Sequence, residues 1–299
     1  MKFIVLTENH EADGLKHEHG LSLFIEYKGK QYLLDAGQSD AFAENAEKLG
    51  LNLKNTEFAV LSHAHYDHAG GLNVYLDQNA GAVVYAAEAG QRMDWYSRRE
   101  DGMKYIGIPQ EILELYAERF VWSKGIQELV PGMWLIPHST PGLEKIGEKT
   151  GMYRKNIEVE AAIMNPECPP CQEHMVERFV PDDFLHEQSL VVEIENGLVI
   201  FNSCSHGGVA NIVEEVRTAF PARQICAYIG GFHLKAPGSE TAMNCSEEEE
   251  RELGRSLLKL GIRQIYTGHC TGVRGYEILK EEMGECLQEL RTGLQVELY

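Results

Sequence analysis

Residues 61–71 read LSHAHYDHAGG and place four metal-ligand side chains within six positions: His63, His65, Asp67 and His68. His63 and His65 are two apart, so at the end of an extended strand their imidazoles project to the same side. Asp67 and His68 follow where the chain turns toward a helix. Imidazole nitrogen and carboxylate oxygen suit zinc, and also iron or manganese. One ion rarely draws all its ligands from so tight a cluster, which makes a pair of divalent ions the natural arrangement. A lone histidine is more often a surface or core residue than a ligand. Three with an aspartate, between an apolar strand and Gly70-Gly71, are very hard to explain as packing. Ions held this way lower the pKa of a bound water toward about 7, and the resulting hydroxide attacks phosphoesters, thioesters, esters or lactams.

Other residues carry weaker signals. The chain has seven cysteines, Cys168, Cys171, Cys204, Cys226, Cys245, Cys270 and Cys286. An odd number without a secretory signal argues against a disulfide framework. Cys168 and Cys171, in CPPC, match half of a zinc or iron–sulfur site, but no second close pair completes it. Two free thiols in a loop are the preferred reading, and a redox use stays open. The segment WYSRREDGMKYIGIP mixes aromatics with Arg98, Arg99 and Lys104 and can hold an anionic or aromatic ligand. Its preferred reading is a solvated surface loop. The run Glu247–Glu250 reads as a solvated helix start.

The elements that must position these residues alternate in type. KFIVLTEN is a strand, and LSLFIEYKGKQYLLDAG is a pair of strands split by KGK. Phe42, Ala43, Ala46 and Leu49 fall at helical spacing and stop at Gly50. FAVLSHAH is a short buried strand that delivers the histidine cluster, AGGLNVYLDQN begins a helix, and GAVVYAAE is another strand. Region 90–185 is less regular: a helical patch at EILELYAERF, a strand at MWLIPHST, then a long irregular stretch from Pro141 to Asp183. Such stretches in compact domains are usually lids, binding loops or insertions. SLVVEIENGLVIFNSCSH is a hairpin around Asn196-Gly197, GVANIVEEVRTAF a helix, and QICAYIGGFHL a strand. SEEEERELGRSLLKLG is a helix with a Ser and acidic start. IRQIYTGHCTG is a strand running into a polar loop, and GYEILKEEMGECLQELRTG a final helix. This is one α/β domain over 1–299, with a loop-rich insertion or lid at about 90–185 that forms much of the pocket wall.

Composition narrows the partners. The 299 residues include 27 Lys and Arg against 46 Asp and Glu, a formal net charge of −19. So acidic a surface repels phosphate backbones and argues against nucleic-acid or anionic-membrane binding. It leaves room for a small anionic substrate, because bound ions dominate the field inside a site. The N-terminus MKFIVLTENHEADG lacks signal-peptide features, and no run approaches the roughly 18 apolar residues of a membrane helix. The expected location is the cytoplasm. Oligomeric state is not readable.

The His-x-His-x-Asp-His pattern resembles the signature of the metallo-β-lactamase superfamily. EHGLSLFIE, LLDAGQS, SHAHYDHAGGL, HEQSLVVE, FNSCSHGGVANI, IGGFHL and YTGHCTG together resemble its 7,8-dihydropterin-6-methyl-4-(β-D-ribofuranosyl)-aminobenzene-5′-phosphate synthase-like branch, from about residue 5 to 298. The resemblance implies a four-layer αβ/βα sandwich with two divalent ions, zinc first and manganese or iron as alternatives, at one edge of the two sheets. It implies His63 and His65 on the first ion, completed by His206, and Asp67 and His68 on the second, completed by His269. His138 falls where many members have a ligand histidine. His19 and His186 lie in family-like motifs as residues that contact substrate or brace a ligand, and Asp35 orients a ligand histidine. Asp67 and His233 are the expected catalytic groups, and His233 is also a candidate ligand. Many members place a bridging Asp where this chain reads Asn202, Ser203, Cys204, Ser205 and His206. The bridge is then Cys204 or a hydroxide.

The implied function is hydrolysis of a small, anionic phosphoester, ester or thioester by a di-metal site. The alternatives are a synthase of the kind the branch is labelled with, an iron-dependent redox enzyme, and a non-catalytic metal-binding sensor.

Overall fold

Alternation along the first strand builds the layers. In the computed structural model, which describes every residue except 93, 157–177, 237, 238, 240 and 241, the strand Lys2–Thr7 turns Ile4 and Leu6 to one apolar cluster and Phe3 and Val5 to another. A strand's side chains alternate in direction, so an apolar strand buried on both sides feeds two cores. Lys2–Thr7 lies in a seven-stranded sheet. Its order is Gln295–Glu297, Lys2–Thr7, Ser22–Tyr27, Lys30–Leu34, Thr56–Val60, Val84–Ala87, Phe120–Ser123. A second seven-stranded sheet runs Leu287–Glu289, Gln264–Thr267, Ile225–Ile229, Gly197–Phe201, Gln188–Ile194, Met133–Pro137, Gln127–Val130.

The two sheets share a central core in which Phe3, Val5, Leu23 and Val60 join Leu135, Leu190, Val199 and Phe201. Helices Ala41–Lys48 and Leu72–Gln78 cover the outer face of the first sheet through Phe42, Ala46, Leu72 and Leu76. Helices Val209–Ala219, Glu247–Lys259 and Gly272–Met283 cover the second through Ile212, Val216, Leu257 and Leu279. The result is the four-layer αβ/βα sandwich. The Ser246–Glu249 capping box starts Glu247–Lys259, satisfying backbone N–H groups that the first helical turn leaves free.

Strand direction decides where a site can form. Lys30–Leu34, Thr56–Val60 and Val84–Ala87 run parallel in the first sheet, as do Gly197–Phe201, Ile225–Ile229 and Gln264–Thr267 in the second. Crossover connections leave the loops after such strands on a common edge, where ligands of α/β sheets bind. Those loops carry Asp35, residues 61–68, 202–206, 230–233 and 268–271.

Two expectations need correction. Region 90–185 holds a four-stranded antiparallel sheet, ordered Phe179–Pro181, Met152–Lys155, Trp95–Arg99, Gly102–Tyr105. The segment WYSRREDGMKY is therefore a hairpin, with Trp95 and Ser97 turned inward. A serine on the buried face hides the alternation that marks a strand. The last element expected as one helix breaks at Gly284, whose φ of 54 and ψ of −130 end it. Leu287–Glu289 then adds to the second sheet beside Gln264–Thr267. Cys168 and Cys171 lie outside the described residues. Among the described residues no helix is long and apolar enough to cross a membrane.

Candidate metal centre

Backbone strain marks the common edge. Among the described residues, six that are not glycine hold a positive φ. Lys28 does so in a hairpin turn, while Asp35 (57), Ser205 (54), His233 (49) and His269 (51) do so at strand ends, and Phe184 (53) beside His206. Such conformations cost about 1–3 kcal/mol each and persist where the surroundings impose them. Gly230 shows the crowding: with φ at 147, a Cβ there would come within 1.7 Å of the Asn202 carbonyl oxygen.

Two clusters of ligand atoms meet at this edge. In the first, the rings of His63, His65 and His206 lie 4.6–4.8 Å apart, centroid to centroid. Their ligand atoms all fall within 4.8 Å of one another. His63 Nε2, His65 Nε2 and both nitrogens of His206 are buried without a hydrogen-bond partner. Burial holds all three imidazoles well below their ordinary pKa, with neighbouring imidazoles adding to the effect. Neutral imidazoles with unspent lone pairs are what a cation requires.

In the second cluster, His68 Nε2 and His269 Nε2 face each other at 3.2 Å, and Asp67 Oδ2 lies 3.6 and 3.5 Å from them. Ligands about 2.0–2.1 Å from a tetrahedral ion stand roughly 3.3 Å apart, so this triangle has the dimensions of one face of such a coordination shell. Burial pushes the Asp67 carboxyl up, but His68, His269 and His19 outweigh it and hold it well below the carboxylate range. Burial pushes His68 down, and Asp67 and Asp35 override that and raise it to about 9. The two carboxylates thus supply the negative field that a cation needs at this point.

Buried groups aim these ligands. Asp35 accepts from Ser62 N–H (2.7 Å) and Ser62 hydroxyl (2.6 Å), and its Oδ2 lies 2.8 Å from His68 Nδ1. Ser62 Oγ also meets His63 Nδ1 at 2.8 Å. With Nδ1 occupied, both rings present Nε2 to the centre. Glu8 accepts the His269 backbone N–H at 2.5 Å, and Asn9 Oδ1 meets His269 Nδ1 at 2.8 Å. Glu187 accepts the backbone N–H groups of His206 and Gly207, both at 2.9 Å.

The structure brings His63, His65, Asp67, His68, His206 and His269 together and sets Asp35 behind them. His19 sits at the cavity, its Nε2 3.3 Å from Asp67 Oδ2. His233 lies against His206, centroids 4.2 Å apart, with Nδ1 unpartnered. Burial lowers the pKa of both His19 and His233 to about 4.

Two further histidines stand behind the ligands and not among them. His186 does not reach the cavity as a substrate contact. Its Nδ1 accepts the Ala64 N–H, its Nε2 meets Asp182, and its ring lies on Trp95 with centroids 4.1 Å apart. His138 is no ligand, since Glu187 and Glu215 take both its ring nitrogens at 2.5 and 2.9 Å. Glu8, Ser62, Glu187 and Glu215 were not identified from sequence. Ser62 and Glu187 nevertheless lie inside the family-like motifs SHAHYDHAGGL and HEQSLVVE.

The ligands open onto a cavity of about 1120 Å³. Asp67, His19, His65, His206, His233, His269 and Cys204 line its floor, and Arg99, Lys104 and Ile106 of the hairpin and its continuation line a wall with Met152. Arg99 and Lys104 therefore belong to the site, and the solvated-loop reading of this segment is corrected.

Comparison with known proteins agrees with this architecture. Residues 16–145 match the model of the metallo-β-lactamase superfamily. The chain is 28% identical over 287 residues to a 7,8-dihydropterin-6-methyl-4-(β-D-ribofuranosyl)-aminobenzene-5′-phosphate synthase from Methanocaldococcus jannaschii, covering 92% of this chain and 88% of the relative. Its fold superposes with a TM-score of 0.75 and 27% identity on a metal-dependent hydrolase of the β-lactamase superfamily, covering 100% of this chain and 99% of that one. Zinc-bound PqqB from Methylobacterium extorquens shares the fold at a TM-score of 0.55 and 12% identity, each chain covered in full (100%).

Proposed function

We propose that the chain is a metal-dependent hydrolase of the metallo-β-lactamase superfamily that acts on a small anionic phosphoester, ester or thioester. The observation that carries this reading is the triangle of Asp67 Oδ2, His68 Nε2 and His269 Nε2, with sides of 3.2–3.6 Å. Beside it stand the unpartnered nitrogens of His63, His65 and His206. His63, His65 and His206 would hold one divalent ion, and Asp67, His68 and His269 a second, zinc first with manganese or iron as alternatives. Such ions supply Lewis-acid chemistry, lowering the pKa of water and polarising the oxygen of the bond under attack.

The chain's own side chains do the rest. Asp67 faces the cavity as an ionised carboxylate and orients the attacking water by accepting its hydrogen bond. His233, neutral at pH 7 with Nδ1 unspent, is placed to accept a proton from the attacking water and return it to the leaving group as the substrate bond opens. His19, neutral too, contacts substrate at the mouth. Arg99 and Lys104 face the same cavity from the hairpin and hold the anionic group of the substrate, as charge-assisted hydrogen bonds to anions do best. Ile106 and Met152 exclude water from that wall.

Metal-depleted protein should lose hydrolysis of a generic phosphodiester and a generic thioester, and zinc or manganese should restore it. A fully metal-loaded protein that hydrolyses neither class ends the proposal. A second reading, a synthase like the Methanocaldococcus jannaschii relative, is favoured by alignment over 92% of this chain. Formation of that relative's named product by the loaded protein, without hydrolysis, would establish it instead.

A further inference from the structure

The loop after strand Gly197–Phe201 offers no carboxylate to join two ions. Asn202 is spent on structure: its Nδ2 donates to Ser189 Oγ at 3.1 Å and its Oδ1 accepts the Ser205 N–H at 2.7 Å. Cys204 is the residue of this loop whose side chain meets both ligand clusters. Its Sγ lies 3.3 Å from His68 Nε2, and Asp35 holds the other nitrogen of that ring. Sγ also falls within 4.8 Å of a ligand nitrogen of His63, in the first cluster, and of His269, in the second. The sulfur is 2% exposed with its residue and lines the cavity floor. His63 Nε2, in the first cluster, is buried without a partner.

Resting on the reading of two ion positions, we infer that Cys204 supplies a thiolate shared between them, in the place a bridging carboxylate would take. Ions of a two-metal site stand about 3.5–4 Å apart, and one sulfur with zinc–sulfur contacts of about 2.3 Å reaches both. The thiol proton leaves to solvent as the ions bind. Cys270, the neighbouring thiol, is turned to other work: its sulfur accepts the His233 N–H at 3.3 Å and donates to the Cys204 carbonyl at 3.6 Å. It holds the Cys204 loop against the loop of His233.

Cobalt(II) substitution of the full-length protein tests the inference independently of activity. The wild-type protein should take up two cobalt ions and show a near-ultraviolet sulfur-to-cobalt charge-transfer band. The band should vanish in Cys204→Ser and Cys204→Asp and persist in Cys270→Ser. Loss of cobalt from both Cys204 variants, at concentrations that saturate Cys270→Ser, is the same result. Wild-type cobalt uptake without the band overturns the inference and leaves the proposed function in place. Survival of the band in either Cys204 variant, or its loss from Cys270→Ser, overturns it as well. Failure of the wild-type protein to bind cobalt removes the ion sites of the proposed function and this inference together.

Discussion

Asp35 shows how much of a metal centre is done by residues that never touch an ion. Its two oxygens fix Ser62 and the Nδ1 side of His68, and Ser62 in turn fixes the Nδ1 side of His63. One carboxylate thereby aims an imidazole into each cluster. Removing such a partner typically costs about 10–100-fold in metal affinity, so Asp35→Asn should weaken zinc binding by that factor in a chelator competition. An unchanged affinity would reduce Asp35 to a turn residue with an unusual φ. His65→Ala removes a ligand outright, and its zinc content after purification should fall well below that of wild type. The histidines were legible in sequence because ligand types at a spacing of two and three form a pattern. Glu8 and Ser62 were not, because they act by accepting a backbone N–H or bracing a ring, and any buried acceptor in the right place would do. The 261 residues separating Glu8 from His269 put that contact beyond any local motif.

At the scale of elements, the four-stranded sheet that includes Trp95–Arg99 and Gly102–Tyr105 gives the cavity a charged wall, with Arg99 and Lys104 beside Glu100 and Asp101. Arg98 and Arg99 alternate across this strand: Arg98 stacks its guanidinium over the Tyr153 ring at 4.3 Å, while Arg99 turns to the cavity. Period-two alternation thus assigns adjacent arginines to different tasks. A hydrogen bond to a charged group is worth about 1.5–3 kcal/mol, so Arg99→Ala should raise KM for a phosphodiester by about 10–100-fold with kcat little changed. KM for a neutral ester should stay within about 2-fold, since that substrate lacks the group Arg99 binds. Equal losses on both substrates would place Arg99 in the framework instead. The regular strands and amphipathic helices of the sandwich could be read from periodicity. This sheet could not, because its strands are three to five residues long and Ser97 occupies an inward position. The break at Gly284 was hidden for a related reason: the helical spacing of Leu287 and Leu290 continues past it, while the structure uses both residues to close the second sheet and its core.

Across the whole molecule, one buried charge cluster ties the layers to the site. His138, after strand Met133–Pro137, lies between Glu187, beside the site, and Glu215, on helix Val209–Ala219. Glu215 also accepts N–H groups of Ser139 and Thr140, both at 2.8 Å, and Glu187 clamps the His206 loop. Burial pushes His138 down, but hydrogen bonds to the two carboxylates overcome it and raise its pKa from 6.5 to about 10. Burial pushes both glutamates up, and His138 together with the backbone donors brings them below 4.5. A raised histidine stabilises fully below its unfolded pKa of 6.5, and that stability is lost as pH climbs through about 10. The lowered glutamates stabilise above 4.5 and lose this only as pH falls through their depressed values. The cluster is therefore at full strength from about pH 4.5 to 6.5. His138→Gln leaves two buried carboxylates without their cation, a change that costs about 3–5 kcal/mol when a buried pair is broken. Urea unfolding of wild type and variant, both saturated with zinc, should show that gap in full at pH 6. Between pH 6.5 and 10 the gap should shrink, because the unfolded wild-type chain gives up the histidine proton that the folded chain still holds, while the glutamine variant has none to lose. Zinc linkage is common to both proteins and cancels in the difference. A gap that stays constant from pH 6 to 10 would mean that His138 is neutral in the fold and holds its two glutamates by hydrogen bonds alone.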